Sequence, residues 1–587
     1  MDEEQKRFAE EVLFAEEPKP SFVKLLYKGE FDSERVFPYP YPSKQHREEV
    51  SHFVNTVNQF CEEKIDADWI DRNMSIPDSV ISGLAELGVL GATATSEFGG
   101  KELTQFGFCK AVETIARYCG STALFVNVQH SIGVRALLVF GTDEQKQRFL
   151  PKMIKGECLS SFALTEPNAG SDASGVETRA VFDEAKNVWR INGRKQWITN
   201  GSLASILTVM AKTTIDTPEG PRDKVTAFIV QPDMPGFEIV EPRLEKLGMR
   251  GSTTTNFKLT DVEVPPENIL GEVGSGLRVA LTTLDFGRTT FGATCTGVGK
   301  ECLERAMKHA KSRYQFKRPL ASFPLVKEKI ANMHALTYAM DAATYLSAGI
   351  LDRGEEDFML ETAIIKVFNS DAVWQILYDT MQIYGGRSFF TDQPFERMMR
   401  DARLNMIGEG SNEVLRAFIG LVGLRDMGME LKAVSETLSS PTQGLAALWS
   451  VGKRGVMRVV SPKVPVQCRE LTEEAAQLAK AVQRFGKSCM SMLVKHKEDI
   501  MERQLILNRI ADSVMAIYTT TAVISKLDTD ISEAGSITES LRQDLDVGKY
   551  YCKMAFKTID RALDEMVHND DENTERLADK LSGVCVQ

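Results

Sequence analysis

Along residues 44–160 the apolar positions recur at helical spacing: Val80, Leu84 and Leu87 share one face, and Gly88 and Gly91 follow as stops. Near residue 161 the period changes. Residues 189–197 read as two short strands about Asn192-Gly193, the strongest short-range hairpin signal. Apolar runs at 206–211, 225–230 and 256–264 (Phe257, Leu259, Val262, Val264) continue as strands separated by turn residues. Strands at this spacing with no helices between them predict a compact antiparallel barrel or sandwich. From about Gly276 to Leu424 the helical period returns, with long amphipathic runs at 325–349 and 361–384.

The flanks differ from this middle. Residues 37–42 alternate aromatic residues with proline and cannot be helical, so residues 1–43 are expected to form an arm lying on the body. Residues 430–466 are rich in Gly, Ser and Pro and read as a linker. No acidic residue falls between Glu436 and Glu470, while Lys453, Arg454, Arg458, Lys463 and Arg469 add positive charge. That stretch suits either a solvated loop or docking on an anionic membrane surface. Residues 467–587 read as a further helical bundle, with capping-box spacing at Ser536-Ile537-Thr538-Glu539. The expected architecture is α+β and mostly α: an arm at 1–43, a helical domain at 44–160, a β-barrel domain at 161–275, a helical catalytic domain at 276–429, a basic linker at 430–466 and an appended helical domain at 467–587.

Composition narrows the function. At 587 residues the chain exceeds a single core, and 43% hydrophobic with 26% charged residues is ordinary for a globular protein. A net charge of −12 argues against nucleic acid as the main partner. The ten cysteines, from Cys61 to Cys585, form no CxxC pair, and the seven histidines show no metal-ligand spacing, so neither a disulfide framework nor a metal site is expected. No apolar run is expected to reach the ~20 residues that cross a bilayer. The start, Met1-Asp2-Glu3-Glu4-Gln5-Lys6, is acidic and resembles neither a secretory signal nor an Arg-rich transit peptide. The expected location is the compartment of synthesis: bacterial cytoplasm, peripheral to the inner membrane if the basic stretch docks, or the mitochondrial matrix if a leader has been removed.

Chemistry concentrates in three places. In residues 400–413, Glu409 stands between Gly408 and Gly410, just before Ser411 and Asn412, either of which can cap the apolar helix that follows. The glycines let a bulky ligand approach, and a carboxylate there is well placed to be a general base in a closed pocket. Residues 162–172 open the β region with small residues, hydroxyls and a proline-fixed turn. Residues 196–201 present an indole, Trp197, then a hydroxyl, Thr199, on the same face of a strand. A flat aromatic cofactor needs such an apolar cover with a few donors, which Thr199 and Thr165 can supply.

These segments resemble the two signatures of the acyl-CoA dehydrogenase family. Similar segments run in order through Leu84–Gly91, Glu97–Gly100, Gly271–Gly276, Arg313–Phe316, Gln382–Gly386 and the Glu409 loop, covering about residues 45–424. The arm and the added carboxy-terminal helices resemble the very-long-chain subgroup, which includes a member used in assembling respiratory complex I. The resemblance implies FAD as cofactor, contacted by Phe162, Leu164, Thr165, Trp197 and Thr199, with Thr199 near flavin N5. Arg313, Phe316, Gln382, Gly385 and Gly386 match positions that hold the FAD diphosphate and adenine, partly across a dimer interface, and Ser411 matches a hydroxyl near FAD. Ser171 and Arg288 match positions near the CoA moiety, and Gly408 and Gly410 flank the base beside the substrate.

Two departures sharpen this reading. Some members of the family carry the base one residue before the arginine of the Asp285–Arg288 segment; here that residue is Gly287, which leaves Glu409 as the base. Gly408 stands where many relatives place an aromatic residue, which leaves room around the thioester. The resemblance then implies removal of the α-proton by Glu409, hydride transfer to flavin N5, a trans-2-enoyl-CoA product and an electron-transfer flavoprotein as acceptor, within fatty-acid β-oxidation and a homodimer. Val126, Val128, Gln129 and Gly133 lie in the region expected to line a deep acyl channel, and tight helix packing explains their mostly modest volumes equally well. An acyl-CoA oxidase and a scaffold that keeps the fold are the competing readings.

Overall fold

A computed structural model describes residues 19–218, 220–438 and 461–583. The chain divides into two compact units, one holding Tyr41–Ser411 and the other Lys19–Pro40 together with the residues from Asn412 onward. The expected order of helices, sheet, helices and further helices is the one observed.

In the first unit the sheet comprises β1 (Leu159–Ala163), β2 (Arg179–Asp183), β3 (Val188–Thr199), β4 (Ala204–Thr217), β5 (Gly220–Val230), β6 (Phe237–Glu241), β7 (Thr254–Val264) and β8 (Ile269–Leu270). Seven strands run in the order β6-β7-β3-β2-β4-β5-β8, and β1 pairs with β4. The pairings β1–β4 and β2–β4 are parallel, so the sheet is mixed where an antiparallel one was expected. Strands β4 and β5 are buried on both faces. Ile206, Met210, Val225 and Ala227 pack into one apolar cluster, while Leu207, Val209, Ala211 and Phe228 pack into another. That double burial explains their unbroken apolar runs.

Asn192-Gly193 does not turn the chain. β3 runs through both residues, and a Cβ on Gly193 would stand 2.2 Å from Thr178 Oγ1. The Asn192 amide instead donates to Asp261 Oδ1 and accepts from Asp261 N, each at 2.9 Å. The glycine therefore marks a bulge and a close backbone approach. The actual turn joins Asp183 to Val188, with Asn187 at φ +53°.

The apolar run Gly120–Phe140 is long and apolar enough to cross a bilayer, contrary to the expectation that none is. It is a core helix: 78% of its most apolar window is buried, and it carries buried Asn127, Gln129 and His130. Its middle, Asn127–Val134, is wound as a π-helix. Gln129 and Gly133, expected at an acyl channel, are both engaged by β1. The Gln129 amide accepts from Ser160 N at 2.7 Å, and a Cβ on Gly133 would meet Ser160 Oγ at 1.8 Å, so both pack against β1.

The long helices Gly276–Ser312, Pro324–Asp352 and Met359–Tyr384 share an apolar core with Gln105–Tyr118 and Phe395–Leu404. In the second unit, helices Asn412–Leu438, Thr472–His496, Gln504–Ala534 and Glu539–Glu565 join residues 19–40. The cap of Glu539–Glu565 is Thr538, which accepts from Leu541 N, rather than Ser536. The first of these helices continues through Leu438, inside the glycine-rich stretch 430–466, whereas Lys453, Arg454 and Arg458 lie outside the described residues.

Candidate active site

Glu409 occupies the left-handed backbone region, at φ +57°, and Gly410 follows at +93°. A side chain larger than glycine's is uncommon there, and such residues cluster at functional sites. The Glu409 carboxylate receives the Asn127 amide at Oε1, 3.2 Å away, while Oε2 is buried with no hydrogen-bond partner among the described residues. Asn127 opens the π-helical segment, an irregularity frequent at functional sites. Its own Oδ1 is likewise buried with no hydrogen-bond partner among the described residues.

The helix Gly276–Ser312 forms another wall. A Cβ on Gly287 would lie 3.1 Å from Glu409 Oε2, so Gly287 abuts the carboxylate. Arg288, the next residue, turns its Nε toward the Glu409 carbonyl at 3.5 Å and pairs through Nη1 with Asp285 Oδ1 at 2.8 Å. Thr362 Oγ1 donates to the same Asp285 oxygen at 3.0 Å. From helix Met359–Tyr384, buried Lys366 donates to the Gly410 carbonyl at 2.6 Å.

Electrostatics follow from burial. Burial pushes the Glu409 carboxyl up from 4.5 to about 7, against the pull of Arg288, Lys366 and the Asn127 amide. It pushes Asp285 up to about 6 despite Arg288, and lowers the Lys366 ammonium to about 8. The result is a dry carboxyl that exchanges its proton near neutrality beside two cations, the arrangement a general base requires.

The sheet presents a second group. Thr165 and Trp197 are brought close through Gln196 N, which donates to the Thr165 carbonyl at 3.0 Å. The β3–β7 register shifts between Lys195 and Ile198, and this bulge, with Trp197 at φ +60°, leaves the indole 61% exposed. Thr199 is half-buried, its carbonyl held by Ser161 Oγ at 2.6 Å. Phe162 and Leu164 are half-buried nearby on the same stretch, and Ser171 is exposed.

A third group lies where helix Gly276–Ser312 ends. Arg313 and Phe316 belong to a small hairpin formed by Tyr314–Gln315 and Arg318–Pro319, and Phe316 is 88% exposed. Gln382, Gly385 and Gly386 are exposed at the end of helix Met359–Tyr384, and a Cβ on either glycine would meet nothing within 4 Å. Gly408 is half-buried, with Leu404 at 3.6 Å as the nearest neighbour of an added Cβ. Ser411 closes the first unit, one residue before helix Asn412–Leu438.

Asn127, Lys366, Asp285 and Thr362 were not among the residues expected from sequence. The signal was present for two of them. Asn127 interrupts Ala123–Val128, and Lys366 interrupts Ile364-Ile365-Lys366-Val367, each a polar group in an apolar helical run.

Comparison with known proteins identifies the class. Residues 47–157, 161–262 and 274–423 match the N-terminal, middle and C-terminal domains of acyl-CoA dehydrogenase, and residues 469–587 match the ACAD9/ACADV C-terminal domain. The chain belongs to the acyl-CoA dehydrogenase family and is an oxidoreductase of that class. It is 35% identical over 523 residues to the mitochondrial very long-chain specific acyl-CoA dehydrogenase of Bos taurus, covering 87% of this chain and 79% of that protein. It is 31% identical over 608 residues to the probable acyl-CoA dehydrogenase FadE10 of Mycobacterium tuberculosis, covering 99% and 91%. Among solved structures, an acyl-CoA dehydrogenase complexed with FAD from Bacillus anthracis aligns over 94% of both chains, with a TM-score of 0.80 and 28% identity.

Proposed function

We propose that this protein dehydrogenates long- or very-long-chain acyl-CoA thioesters at the α,β bond, giving trans-2-enoyl-CoA in fatty-acid β-oxidation, with FAD as cofactor. The exposed, flat Trp197, the half-buried Thr165 and Thr199, the open backbone at Gly385 and Gly386, and the exposed Arg313 fit such a group. Trp197 would cover the ring system, and Arg313 would meet phosphate oxygens with its planar fork. When bound, FAD supplies the acceptor for the β-hydride.

The observation that carries the reading is the buried Glu409 carboxyl with its unpartnered Oε2, pushed up to about 7. A thioester α-proton is weakly acidic, and a free carboxylate near 4.3 is a poor match for it. Desolvation narrows that mismatch while Arg288 and Lys366 keep the ionised form accessible. Glu409 Oε2 takes the α-proton, and the site excludes water from the developing enolate. Arg288, with Ser171, suits the CoA portion. Gly408 leaves room beside the thioester, which together with the similarity to very long-chain enzymes favours a long or bulky acyl group.

Anaerobic titration of the flavin-loaded protein with octanoyl-, palmitoyl- and a branched acyl-CoA tests this. Bleaching by palmitoyl-CoA is expected, and Glu409→Gln should retain FAD yet lose the bleaching. Ordinary bleaching in that variant would sink the assignment. Re-oxidation should be fast with an electron-transfer flavoprotein and slow with oxygen; rapid peroxide formation would instead indicate an oxidase. The solvent-facing Arg313, Phe316, Gly385 and Gly386 suit a cofactor held between two copies, so sedimentation should report a homodimer. The basic stretch, of which Lys463 and Arg469 are described, is assigned to membrane docking; equal liposome pelleting after cleavage near residue 430 would reject this.

A further inference from the structure

Lys366 sits fully buried within helix Met359–Tyr384, where an ammonium costs several kcal/mol to desolvate. Its Nζ donates to the Gly410 carbonyl at 2.6 Å, while Arg288 Nε reaches the Glu409 carbonyl at 3.5 Å from helix Gly276–Ser312. Two cations from two helices thus address consecutive carbonyls of a turn whose residues both have positive φ, at +57° and +93°. Holding a non-glycine residue in that region costs about 1–3 kcal/mol, so the turn needs such anchors. The base lies in the same turn, where its carboxylate experiences the charge of both cations.

We propose that Lys366 is a positioning residue for the base: it anchors the Glu409–Gly410 turn through the Gly410 carbonyl and supplies positive charge that keeps the Glu409 carboxylate ionised. This rests on the reading of Glu409 as the base. Arg288 shares the electrostatic part of this role, since its charge also pulls on Glu409 and its Nε reaches the Glu409 carbonyl, but it is paired with Asp285 in the same helix, whereas Lys366 holds the Gly410 carbonyl. Cys295 and Asp371 act on Lys366 itself, and Asn127 contributes a neutral donor. Burial brings Lys366 down only to about 8, so its charge persists through neutral pH, the range in which Glu409 exchanges its proton.

The test uses the full-length, FAD-loaded protein and three substitutions. Lys366→Met removes charge and donor, Lys366→Gln keeps a donor for the Gly410 carbonyl without the charge, and Lys366→Arg keeps both. Two midpoints are read: the pH midpoint of flavin reduction by palmitoyl-CoA, and the pH at which the protonated carboxyl band that Glu409→Gln abolishes disappears from infrared spectra taken without substrate. Met and Gln are expected to raise both midpoints by about one pH unit, and Arg to return them close to wild type. At high pH, where Glu409 is ionised in every variant, Gln should keep its reduction rate and Met should lose about tenfold. Unchanged midpoints in the flavin-loaded Gln variant overturn the proposal, and that variant decides the matter if Met does not fold. Failure of wild-type flavin to be reduced by any acyl-CoA would instead overturn the base reading, while the infrared midpoint still reports whether Lys366 acts on Glu409.

Discussion

Gly287 stands against Glu409: a Cβ built on the glycine would lie 3.1 Å from Oε2 and 3.4 Å from Ile132 Cγ1. That carboxylate oxygen has no hydrogen-bond partner among the described residues, and the adjoining glycine adds no side chain beside it. A methyl group there must displace either the carboxylate or Ile132, both buried. Gly287→Ala is expected to slow flavin reduction by acyl-CoA about tenfold, the equivalent of ~1.4 kcal/mol, through a base held off its line of attack. FAD content should not change. Gly299→Ala, further along the same helix, is the control, because its added methyl meets Ile376 at 3.4 Å and Met340 at 3.6 Å, ordinary contact distances. Stopped-flow reduction of both variants checks the contrast, and equal slowing would contradict it.

The Glu409 carboxyl makes stability and activity move in opposite directions with pH. Its value in the folded chain, about 7, lies above the unfolded 4.5, so folding favours the protonated form. The corresponding stability is fully present below 4.5 and is lost as pH rises through 7, amounting to about 3 kcal/mol. Proton abstraction needs the ionised form, so the rate of flavin reduction should climb over the same window, with a midpoint near 7. Denaturant melts between pH 4.5 and 7.5 should show a downward slope in the wild type that Glu409→Gln makes shallower, the remainder coming from groups such as Asp285. Parallel slopes in the two proteins would show that the carboxyl titrates elsewhere.

The elements with clear periodicity were legible: the helices at 324–352 and 359–384 and strands β4, β5 and β7 all form where the apolar pattern put them. Asn192-Gly193 misled because the same dipeptide that suits a tight turn also suits a bulge, and only the approach of Thr178, just before β2, decides between them. Gln129 and Gly133 carry a similar ambiguity, since a small or polar residue in an apolar helix can serve packing against β1 as well as a channel, and the packing is what the structure shows. The unusual turn at Glu409 was legible from its two glycines. Its partners were not, because Asn127, Gly287 and Lys366 arrive from three segments separated by 160 and 79 residues, and no local pattern links them. The location of residues 19–40 in the carboxy-terminal unit was equally invisible to local pattern.

Lys195 and Glu166 form a buried pair at 2.6 Å that ties β3 to the loop carrying Thr165. Lys195 Nζ also donates to the Leu164 carbonyl at 3.1 Å, and Glu166 accepts from Glu177 N and Thr178 N. Removing one member of a buried pair leaves the other charge uncompensated, which costs about 3 kcal/mol or more. Lys195→Met should therefore lower the denaturation midpoint and loosen Leu164 and Thr165, with loss of FAD during gel filtration. Flavin absorbance per mole of protein after the column is the measurement. Full retention would mean that the pair has no part in holding the cofactor loop.

Tyr27 and Gly423 lie 396 positions apart in sequence and touch in the carboxy-terminal unit, where a Cβ on Gly423 would fall 1.9 Å from the Tyr27 ring. The ring packs edge-on to Phe485, with centroids 5.0 Å apart, and its hydroxyl donates to the Ile419 carbonyl at 2.6 Å. Two residues further along, Gly29 meets Gly486 just as closely, since a Cβ there would be 2.5 Å from Gly29 N. Residues 19–40 are thus a built part of this helical unit, with Phe22 against Tyr518 and Tyr39 N donating to Thr529 Oγ1. Gly423→Ala must expel the Tyr27 ring, at a cost of about 3 kcal/mol, whereas Tyr27→Phe forfeits one hydrogen bond, about 1 kcal/mol. Hydrogen exchange read by mass spectrometry should show faster opening of helices Asn412–Leu438, Thr472–His496 and Gln504–Ala534 in Gly423→Ala, and a much smaller change in Tyr27→Phe. Unchanged protection in those helices would mean that the amino-terminal segment only rests on the unit rather than completing its core.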